Sequence, residues 1–335
     1  MKCNGIIALS AGDPRMVQVD VPEPGPHEIQ IRMAASLVSA GTERAWVLGQ
    51  PNALPEYPYI PGYCCSGYVE KTGPGVTGFS CGDRVAAYAV NVGHREIGNV
   101  ADYNVVHIPD SVSFRHAAFT SLGQTSLQGV RKCRIELGES IVSLGIGIVG
   151  IFALQLAHLN GALPCIAVDR NETRLDIAGK CHADFTVNNG TDGWQERLLT
   201  ITDGKGPAVV FDNTGVPGAM TDACRMAADY ARICILGCPR GTADFNFYKD
   251  VQKKSLTIIG AHAVDSIPRY HSYPNYWTFA DDAACFLRFV DKGVVAVEPL
   301  ISKTVSQKDA GKAYAELIRN DMDALGMIID WLESR

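Results

Sequence analysis

The residues that most clearly point to chemistry are Gly145, Gly147 and Gly150. They follow a short apolar run that predicts a buried strand, and they precede an apolar stretch that predicts a helix. A second apolar run then ends in Asp169. A strand, a G-x-G-x-x-G turn, a helix and an acid about twenty residues further on form a dinucleotide-binding fingerprint. The sequence therefore predicts a bound dinucleotide at this turn.

Each residue of the fingerprint has its own task. Gly145 lets the chain turn sharply off the strand, Gly147 lets the pyrophosphate approach the backbone, and Gly150 lets the helix pack closely on the strand. The first helical residues, Ile148 and Val149, direct backbone N–H groups and the positive end of the helix dipole at the phosphates. The alternative is a glycine-rich turn that binds no nucleotide, and the matching context argues against it.

The acid at the end of the second strand bears on cofactor choice. Asp169 is expected to accept hydrogen bonds from the ribose hydroxyls, and its charge disfavours a 2′-phosphate. Arg170 and Arg174 follow closely and weaken this preference, because such side chains either bind a 2′-phosphate or flank the adenine. We therefore expect NAD(H) as the preferred cofactor, with NADP(H) as the alternative.

Composition limits the classes of partner. A chain of 335 residues is long enough for two domains, and its net charge of −6 argues against nucleic acid or an anionic membrane as partner. No apolar run is as long as a membrane span, and the N-terminus turns polar too early for a secretion signal. The eleven cysteines are expected to be reduced thiols. We expect a cytoplasmic protein with a small-molecule substrate.

Apolar patterning divides the chain into two domains. The first third shows short β-like runs broken by Pro/Gly clusters, whereas strands alternate with helices from about residue 119, which predicts a parallel sheet. A helix is expected at 278–292. The nucleotide domain, at 121–265, is inserted into a domain built from 1–120 and 266–335. The strands predicted for the inserted domain are 141–144, 165–168, 185–187, 208–211, 233–236 and 257–259.

Short motifs in a fixed order carry a family resemblance. They include Ala40-Gly-Thr-Glu43, Pro61-Gly62, Gly82-Asp-Arg-Val85, the fingerprint at Gly145 and Asp212-Asn-Thr-Gly215. Through them the chain resembles the medium-chain dehydrogenase/reductase superfamily, in a zinc-less branch near sugar and bacteriochlorophyllide dehydrogenases. The resemblance implies an α/β fold with a GroES-like β-rich catalytic domain, a Rossmann domain with a doubly wound parallel sheet, and hydride transfer in the cleft between them. It also implies a homodimer or homotetramer.

The resemblance implies further contacts with the cofactor. Thr125 matches the residue that packs behind the nicotinamide ring, although a hydroxyl near a helix start also has a purely structural explanation. Thr214, Gly215 and Gly237 lie in loops at the carboxyl ends of strands, where the cofactor is approached.

The positions that hold zinc in other members of the superfamily are changed. Ala40 replaces a cysteine, Tyr63 a histidine and Cys64 a glutamate, and the third ligand position falls near Ser121. The four closely spaced cysteines of the structural zinc lobe are also missing. Because zinc needs about three or four N, S or O ligands from protein or water, the sequence predicts neither a catalytic nor a structural zinc.

Without zinc, hydrogen-bonding side chains must control charge on the substrate oxygen during hydride transfer. Tyr63 stands in the place of a lost ligand and is the candidate proton donor, with filling of the vacated volume as an equal alternative. Thr42 matches the proton-relay hydroxyl of the superfamily. Glu43 is a further candidate acid or base, although in the superfamily this acid usually supports a ligand.

Two other features have weaker connections with a substrate. The stretch 268–277 is rich in tyrosine and ends in tryptophan, which suits stacking on a sugar, polyol or cyclitol, or alternatively an oligomer contact. His262 and His94 are candidates to approach the substrate, with ordinary packing or surface roles favoured for both.

Three functions follow from these observations. The first is an NAD(H)-dependent, zinc-independent oxidoreductase that acts on a secondary alcohol or ketone. The second is an NADPH-dependent enone or quinone reductase, against which Asp169 counts. The third is a catalytically inactive, nucleotide-binding regulatory or structural protein.

Overall fold

A computed structural model describes residues 1–90, 92–262, 269, 277–318 and 325–332. The chain forms two compact units. The first unit comprises Met1–Ser121, Thr278–Gly293 and Leu300–Arg335, and the second comprises Leu122–Trp277 and Val294–Pro299.

Strands dominate the first part of the chain and alternate with helices in its middle part. Up to residue 133 the elements are β1 (Lys2–Ala8), β2 (Pro14–Asp20), β3 (Glu28–Ser39), α1 (Ala40–Leu48), β4 (Cys64–Thr72), β5 (Arg84–Tyr88), β6 (Ile97–Ala101), β7 (Val105–His107), α2 (Phe114–Ala117) and α3 (Thr120–Cys133). Those that follow, up to residue 260, are β8 (Ile141–Leu144), α4 (Ile148–Leu159), β9 (Cys165–Asp169), α5 (Glu172–Lys180), β10 (Phe185–Asn188), α6 (Trp194–Ile201), β11 (Val209–Asp212), α7 (Ala219–Met226), β12 (Arg232–Ile235) and β13 (Thr257–Gly260). The last are α8 (Phe279–Asp291), β14 (Ile301–Ser306), α9 (Ala310–Ile318) and β15 (Gly326–Asp330).

The first unit is built around β3. This strand pairs antiparallel with β4, β6 and β15, in a sheet of order β14-β15-β3-β4-β5-β7. Both faces of β3 are largely buried, and Ile29, Ile31 and Met33 belong to a core that also contains Tyr314 and Trp331. The predicted β-rich domain is confirmed, and β3 fixes the position at which α1 begins.

The second unit contains a six-stranded parallel sheet of order β10-β9-β8-β11-β12-β13. The strand order reverses between β8 and β11, and open α/β sheets bind ligands at the carboxyl ends of strands at such a point. All six strands begin and end within one residue of the predicted positions. The predicted doubly wound sheet is confirmed, and it places the glycine turn at this reversal.

The second unit continues past residue 265, where the sequence predicted its end. Gln128 donates a hydrogen bond from its amide nitrogen to the Trp277 carbonyl over 3.0 Å, and the Arg131 guanidinium lies 3.7 Å from the centre of the Trp277 ring. These contacts attach Trp277 to helix α3. The aromatic stretch before it lies outside the described residues, apart from Arg269.

A buried glutamine attaches a second late segment to the same unit. The Gln155 side chain accepts a hydrogen bond from the Ala296 N–H (2.7 Å) and donates one to the Ala296 carbonyl (3.0 Å). These paired bonds explain why 294–299 belongs with the second unit, although it follows a helix of the first.

That helix, α8, agrees closely with the one predicted at 278–292. Thr278 caps it by accepting a hydrogen bond from the Asp281 N–H, while the Asp281 carboxylate accepts one from the Thr278 N–H. Within the described ranges, no helix is long and apolar enough to cross a bilayer.

Replacing Gln155 with leucine tests the attachment of 294–299. Gln155→Leu leaves the N–H and carbonyl of Ala296 without these partners, so we expect the free energy of unfolding to fall by about 1–3 kcal/mol. The control is Gln195→Leu at an exposed position of α6, for which a change below about 0.5 kcal/mol is expected. Urea denaturation measures the free energy of unfolding of both variants. An equal fall in the two would contradict the role of Gln155 in attaching 294–299.

Candidate active site

The turn after β8 has the geometry that the fingerprint requires. Gly145 has a φ of +87°, and a Cβ added to it would lie 2.9 Å from Thr214 Cγ2. A Cβ added to Gly150 would lie 2.1 Å from the Gly145 carbonyl oxygen. Gly145 is therefore favoured both by its positive φ and by the lack of room for a side chain. Gly150 allows the helix to lie close to the strand.

Gly147 differs from its neighbours, because a Cβ added there would meet nothing within 4 Å. Gly147 is the N-cap of α4, and its carbonyl accepts the first helical hydrogen bond, from the Ile151 N–H over 2.9 Å. The N–H groups of Ile148, Val149 and Gly150 precede that bond and begin the helix. An open approach to unpaired N–H groups at a helix start suits a phosphate, so these residues fit a dinucleotide.

Asp169 lies beside this turn. Its carboxylate accepts hydrogen bonds from the Ile146 N–H (2.6 Å) and the Asn171 N–H (3.0 Å). Two backbone donors fix the carboxylate at the end of β9, where it is only half-buried. Arg170 is exposed next to it, and Arg174 is half-buried in the first turn of α5.

The loop after β11 packs against the glycine turn. Buried Asp212 accepts hydrogen bonds from the Thr214 N–H (3.0 Å) and hydroxyl (2.8 Å). Burial raises the pKa of Asp212, and these two bonds oppose the rise. Gly215 has a φ of +68°, and a Cβ on Gly237 would lie 2.7 Å from the Asn213 carbonyl carbon. Thr214, Gly215 and Gly237 therefore form one tight arrangement of loops.

Asn213 belongs to this arrangement and was not among the predicted site residues. Its amide nitrogen donates hydrogen bonds to the Ser143 hydroxyl (3.0 Å) and the Phe211 carbonyl (3.1 Å). The Ser143 hydroxyl in turn donates to the Gly150 carbonyl over 2.9 Å. Asn213 therefore ties the two loops at the reversal point together. The sequence feature that could have identified Asn213 is its position within the Asp212–Gly215 motif.

The remaining predicted contacts of the second unit lie on α3 and after β13. Thr125 is half-buried on α3, and the hydroxyl of its neighbour Ser126 donates to the Val149 carbonyl over 3.0 Å. This bond places the Thr125 turn close to the start of α4. His262 is exposed two residues beyond the end of β13.

In the first unit, Tyr63 meets two hydroxyl groups. The side chains of Ser39 and Thr42 lie beside its phenol, and their interaction with it lowers the phenol pKa. Removal of the phenol from water has the larger effect and raises the pKa of Tyr63 well above its usual range. The phenol is therefore protonated at neutral pH. We call Ser39, Thr42 and Tyr63 the hydroxyl cluster.

Ser39 was missed by the sequence reasoning because its position predicts a different task. It is the N-cap of α1, where a serine hydroxyl usually accepts a bond from the helix backbone, but its side chain makes no such bond. The Glu43 carboxylate instead accepts a hydrogen bond from the Ser39 backbone N–H over 2.7 Å. The Ser39 hydroxyl is thereby left for Tyr63.

The structure thus brings the three predicted catalytic residues, Tyr63, Thr42 and Glu43, to the start of α1. Glu43 is only 1% exposed, and its second oxygen lies 2.9 Å from His94 Nε2. A carboxylate with both oxygens engaged and no access to solvent suits a supporting role better than contact with substrate.

The positions that correspond to zinc ligands do not fit a catalytic zinc. Ala40 offers only a methyl group, and the Ser121 hydroxyl donates a hydrogen bond to the Ala87 carbonyl over 3.3 Å. Burial, with a smaller effect of the Glu43 charge, raises the pKa of Cys64 well above its usual range. Across the described part of the chain, no group of three or more His, Cys, Asp or Glu side chains is placed to hold a metal ion.

Comparison with known families agrees with this architecture. Residues 25–117 match the alcohol dehydrogenase GroES-like domain, and residues 149–282 match the zinc-binding dehydrogenase family. The chain belongs to the medium-chain dehydrogenase/reductase superfamily. Its enzyme class is therefore that of the NAD(P)-dependent dehydrogenases.

Relatives within the superfamily resemble the chain over most of its length. L-threonine 3-dehydrogenase of Pyrococcus furiosus is 26% identical, with 91% of each chain covered. D-guloside 3-dehydrogenase of Escherichia coli is 25% identical, over 90% of this chain and 87% of the relative. In fold, galactitol-1-phosphate dehydrogenase from Escherichia coli superposes with a TM-score of 0.84 at 20% identity, covering 98% of this chain and 100% of the other.

The open position of Gly147 makes a prediction about nucleotide binding. Gly147→Ala is expected to leave the melting temperature unchanged, because the added methyl meets no protein atom. The methyl occupies the path of the pyrophosphate, so we expect the Kd for NADH to rise at least about tenfold, or about 1.4 kcal/mol. Fluorescence titration with NADH measures the Kd.

Gly179→Ala on α5 is the matched control, because a Cβ there also meets nothing within 4 Å. It is expected to keep the wild-type Kd. An unchanged Kd in Gly147→Ala would show that the pyrophosphate does not bind at this turn.

Proposed function

We propose that the protein is an NAD(H)-dependent, zinc-independent dehydrogenase that interconverts a secondary alcohol and a ketone on a polyol or sugar-like substrate. The observation that carries the proposal is the hydroxyl cluster. Tyr63, in the place of a zinc ligand, is a phenol that lies beside the hydroxyls of Ser39 and Thr42.

A nicotinamide cofactor held at the turn from Gly145 to Gly150 and by Asp169 would supply the hydride acceptor for alcohol oxidation and the hydride donor for ketone reduction. The hydroxyl cluster handles the accompanying proton. In reduction, the Tyr63 phenol donates its proton to the carbonyl oxygen as negative charge develops there. The Tyr63 phenolate then takes up a proton from solvent, which the hydroxyls of Thr42 and Ser39 relay. In oxidation the same proton path runs in reverse.

Asp169 supports NAD(H) over NADP(H). Backbone donors fix its carboxylate beside the glycine turn. There it would accept hydrogen bonds from the ribose hydroxyls of NAD and would repel a 2′-phosphate. The exposed Arg170 side chain carries a positive charge next to Asp169, and that charge favours a 2′-phosphate. A solved neighbour from Sinorhizobium meliloti is bound to NADP, so the cofactor preference is a property to be measured on this chain.

The names of the relatives support the substrate class. The two relatives described above are dehydrogenases of L-threonine and of a D-guloside. A third, from Halalkalibacterium halodurans, is a sorbitol dehydrogenase that is 27% identical over 72% of this chain and 78% of the relative. These compounds share a secondary alcohol that carries neighbouring polar groups.

A cofactor and substrate panel tests the proposal. We expect NAD⁺ reduction with polyols or sugar alcohols, measured at 340 nm, and weaker activity with NADP⁺. NADPH oxidation with enones or quinones alone would identify a reductase of activated double bonds. Tight NADH binding without turnover on any member of the panel would identify an inactive nucleotide-binding protein.

Tyr63→Phe tests the proton donor. Removal of the phenol hydroxyl is expected to lower kcat by about 10²–10⁴-fold, the usual contribution of a general acid, and to leave the Kd for NADH unchanged. The control is Tyr68→Phe, on the partly exposed part of β4, which is expected to keep wild-type kcat. Unchanged turnover in Tyr63→Phe would remove Tyr63 from the mechanism and leave it the role of filling space.

A further inference from the structure

We propose that His94 is a positioning residue of this reaction, which acts through Glu43 on the hydroxyl cluster. The inference rests on the proposed function for its effect on turnover. The arrangement of His94 and Glu43 is established by geometry within the first unit.

His94 lies at the centre of a buried line of polar groups. Its Nε2 is 2.9 Å from a Glu43 carboxylate oxygen, and its Nδ1 is 2.8 Å from the Ser36 hydroxyl oxygen. The Trp331 indole N–H donates to the same Ser36 oxygen over 2.9 Å. Ser36, His94 and Glu43 are each 1% exposed.

The donors assign the tautomer of His94. The Glu43 carboxylate oxygen only accepts, so the hydrogen of its bond with His94 is carried by Nε2. The Ser36 hydroxyl accepts the indole hydrogen and can donate its own to His94 Nδ1. In this arrangement every donor in the line points towards Glu43.

The two bonds to Glu43 fix the start of α1. One oxygen accepts from His94, and the other accepts from the Ser39 backbone N–H over 2.7 Å. Glu43 therefore satisfies the backbone at the helix N-cap while the Ser39 hydroxyl serves Tyr63. Loss of the His94 donor leaves a buried carboxylate oxygen unsatisfied, which favours rotation of Glu43 and displacement of Ser39.

The order serine, histidine, carboxylate also occurs in nucleophilic triads. Here burial of all three side chains keeps any substrate from the Ser36 hydroxyl, so the line has no route to such chemistry. The surroundings of the imidazole are tight, since a Cβ on Gly62 would lie 2.6 Å from His94 Cδ2. The Tyr314 ring packs edge-on at 5.6 Å. The line therefore supports Glu43.

Two amide variants separate positioning from packing. Glutamine places its amide nitrogen near the Nε2 position and keeps the donor to Glu43, whereas asparagine is too short to reach Glu43. We expect kcat of His94→Asn to fall by about 10–100-fold through misplacement of the hydroxyl cluster, with the Kd for NADH unchanged. His94→Gln is expected to recover most of kcat. Equal kcat values for the two variants would overturn the proposal.

A matched control alters the aromatic ring that packs edge-on against the same imidazole. The Tyr314 hydroxyl has no hydrogen-bond partner among the described residues, so Tyr314→Phe removes no bond from the line and is expected to keep wild-type kcat. If kcat falls as far in Tyr314→Phe as in His94→Asn, the effect of His94 is explained by packing and not by its hydrogen bond to Glu43.

A spectroscopic readout keeps this inference separate from the proposed function. In the ¹⁵N-histidine NMR spectrum of the protein, we expect a proton on His94 Nε2, and a shift of that signal in Glu43→Gln. An Nδ1–H tautomer, or a signal indifferent to Glu43→Gln, would overturn the inference even in an active enzyme. If the protein proves inactive on every substrate, the proposed function fails, and the spectrum still decides whether His94 holds Glu43.

Discussion

The geometry of the first unit's site depends on one buried carboxylate. Glu43 sits in the first turn of α1 with almost no solvent exposure, and a charge in that position is tolerated only when hydrogen bonds replace its lost hydration. Its two oxygens take those bonds from the backbone of Ser39 and from His94. Because Glu43 does the capping, the N-cap serine is free to join Thr42 on the phenol of Tyr63. The three hydroxyls owe their arrangement to a residue that is itself hidden from substrate.

The nucleotide-binding part of the second unit rests on a different constraint, the close approach of backbone segments. Gly145, Gly150 and Gly237 stand where a Cβ would strike another chain segment, whereas Gly147 stands where a Cβ would face open space. The first three positions keep the loops at the sheet reversal packed together. Of the four, Gly147 is the one at which an added Cβ would meet no other atom within 4 Å. This separation explains how one short motif both builds the turn and leaves it accessible.

The sequence predicted the second unit well for a physical reason. Strands of a parallel sheet are buried on both faces and appear as continuous apolar runs, so all six were located to within one residue. The end of the unit was missed because single polar contacts decide it. Gln128 and Arg131 hold Trp277, and Gln155 holds Ala296 across 141 residues of chain, and no local pattern signals such pairs.

The same limit applies to the site in the first unit. Thr42, Glu43 and Tyr63 were found through motif positions, but Ser39 and His94 were not assigned their partners. A serine before a helix predicts a cap, and His94 lies 51 residues from Glu43, so only the folded β3 framework brings these groups together.

The central claim is that hydroxyl groups, and not a metal ion, control charge on the substrate oxygen. Its most direct test is elemental analysis of the purified protein combined with kcat before and after exhaustive chelation. The account predicts substoichiometric zinc and an unchanged kcat that added zinc does not raise. One zinc per chain, with turnover lost on chelation and restored by zinc, would contradict it.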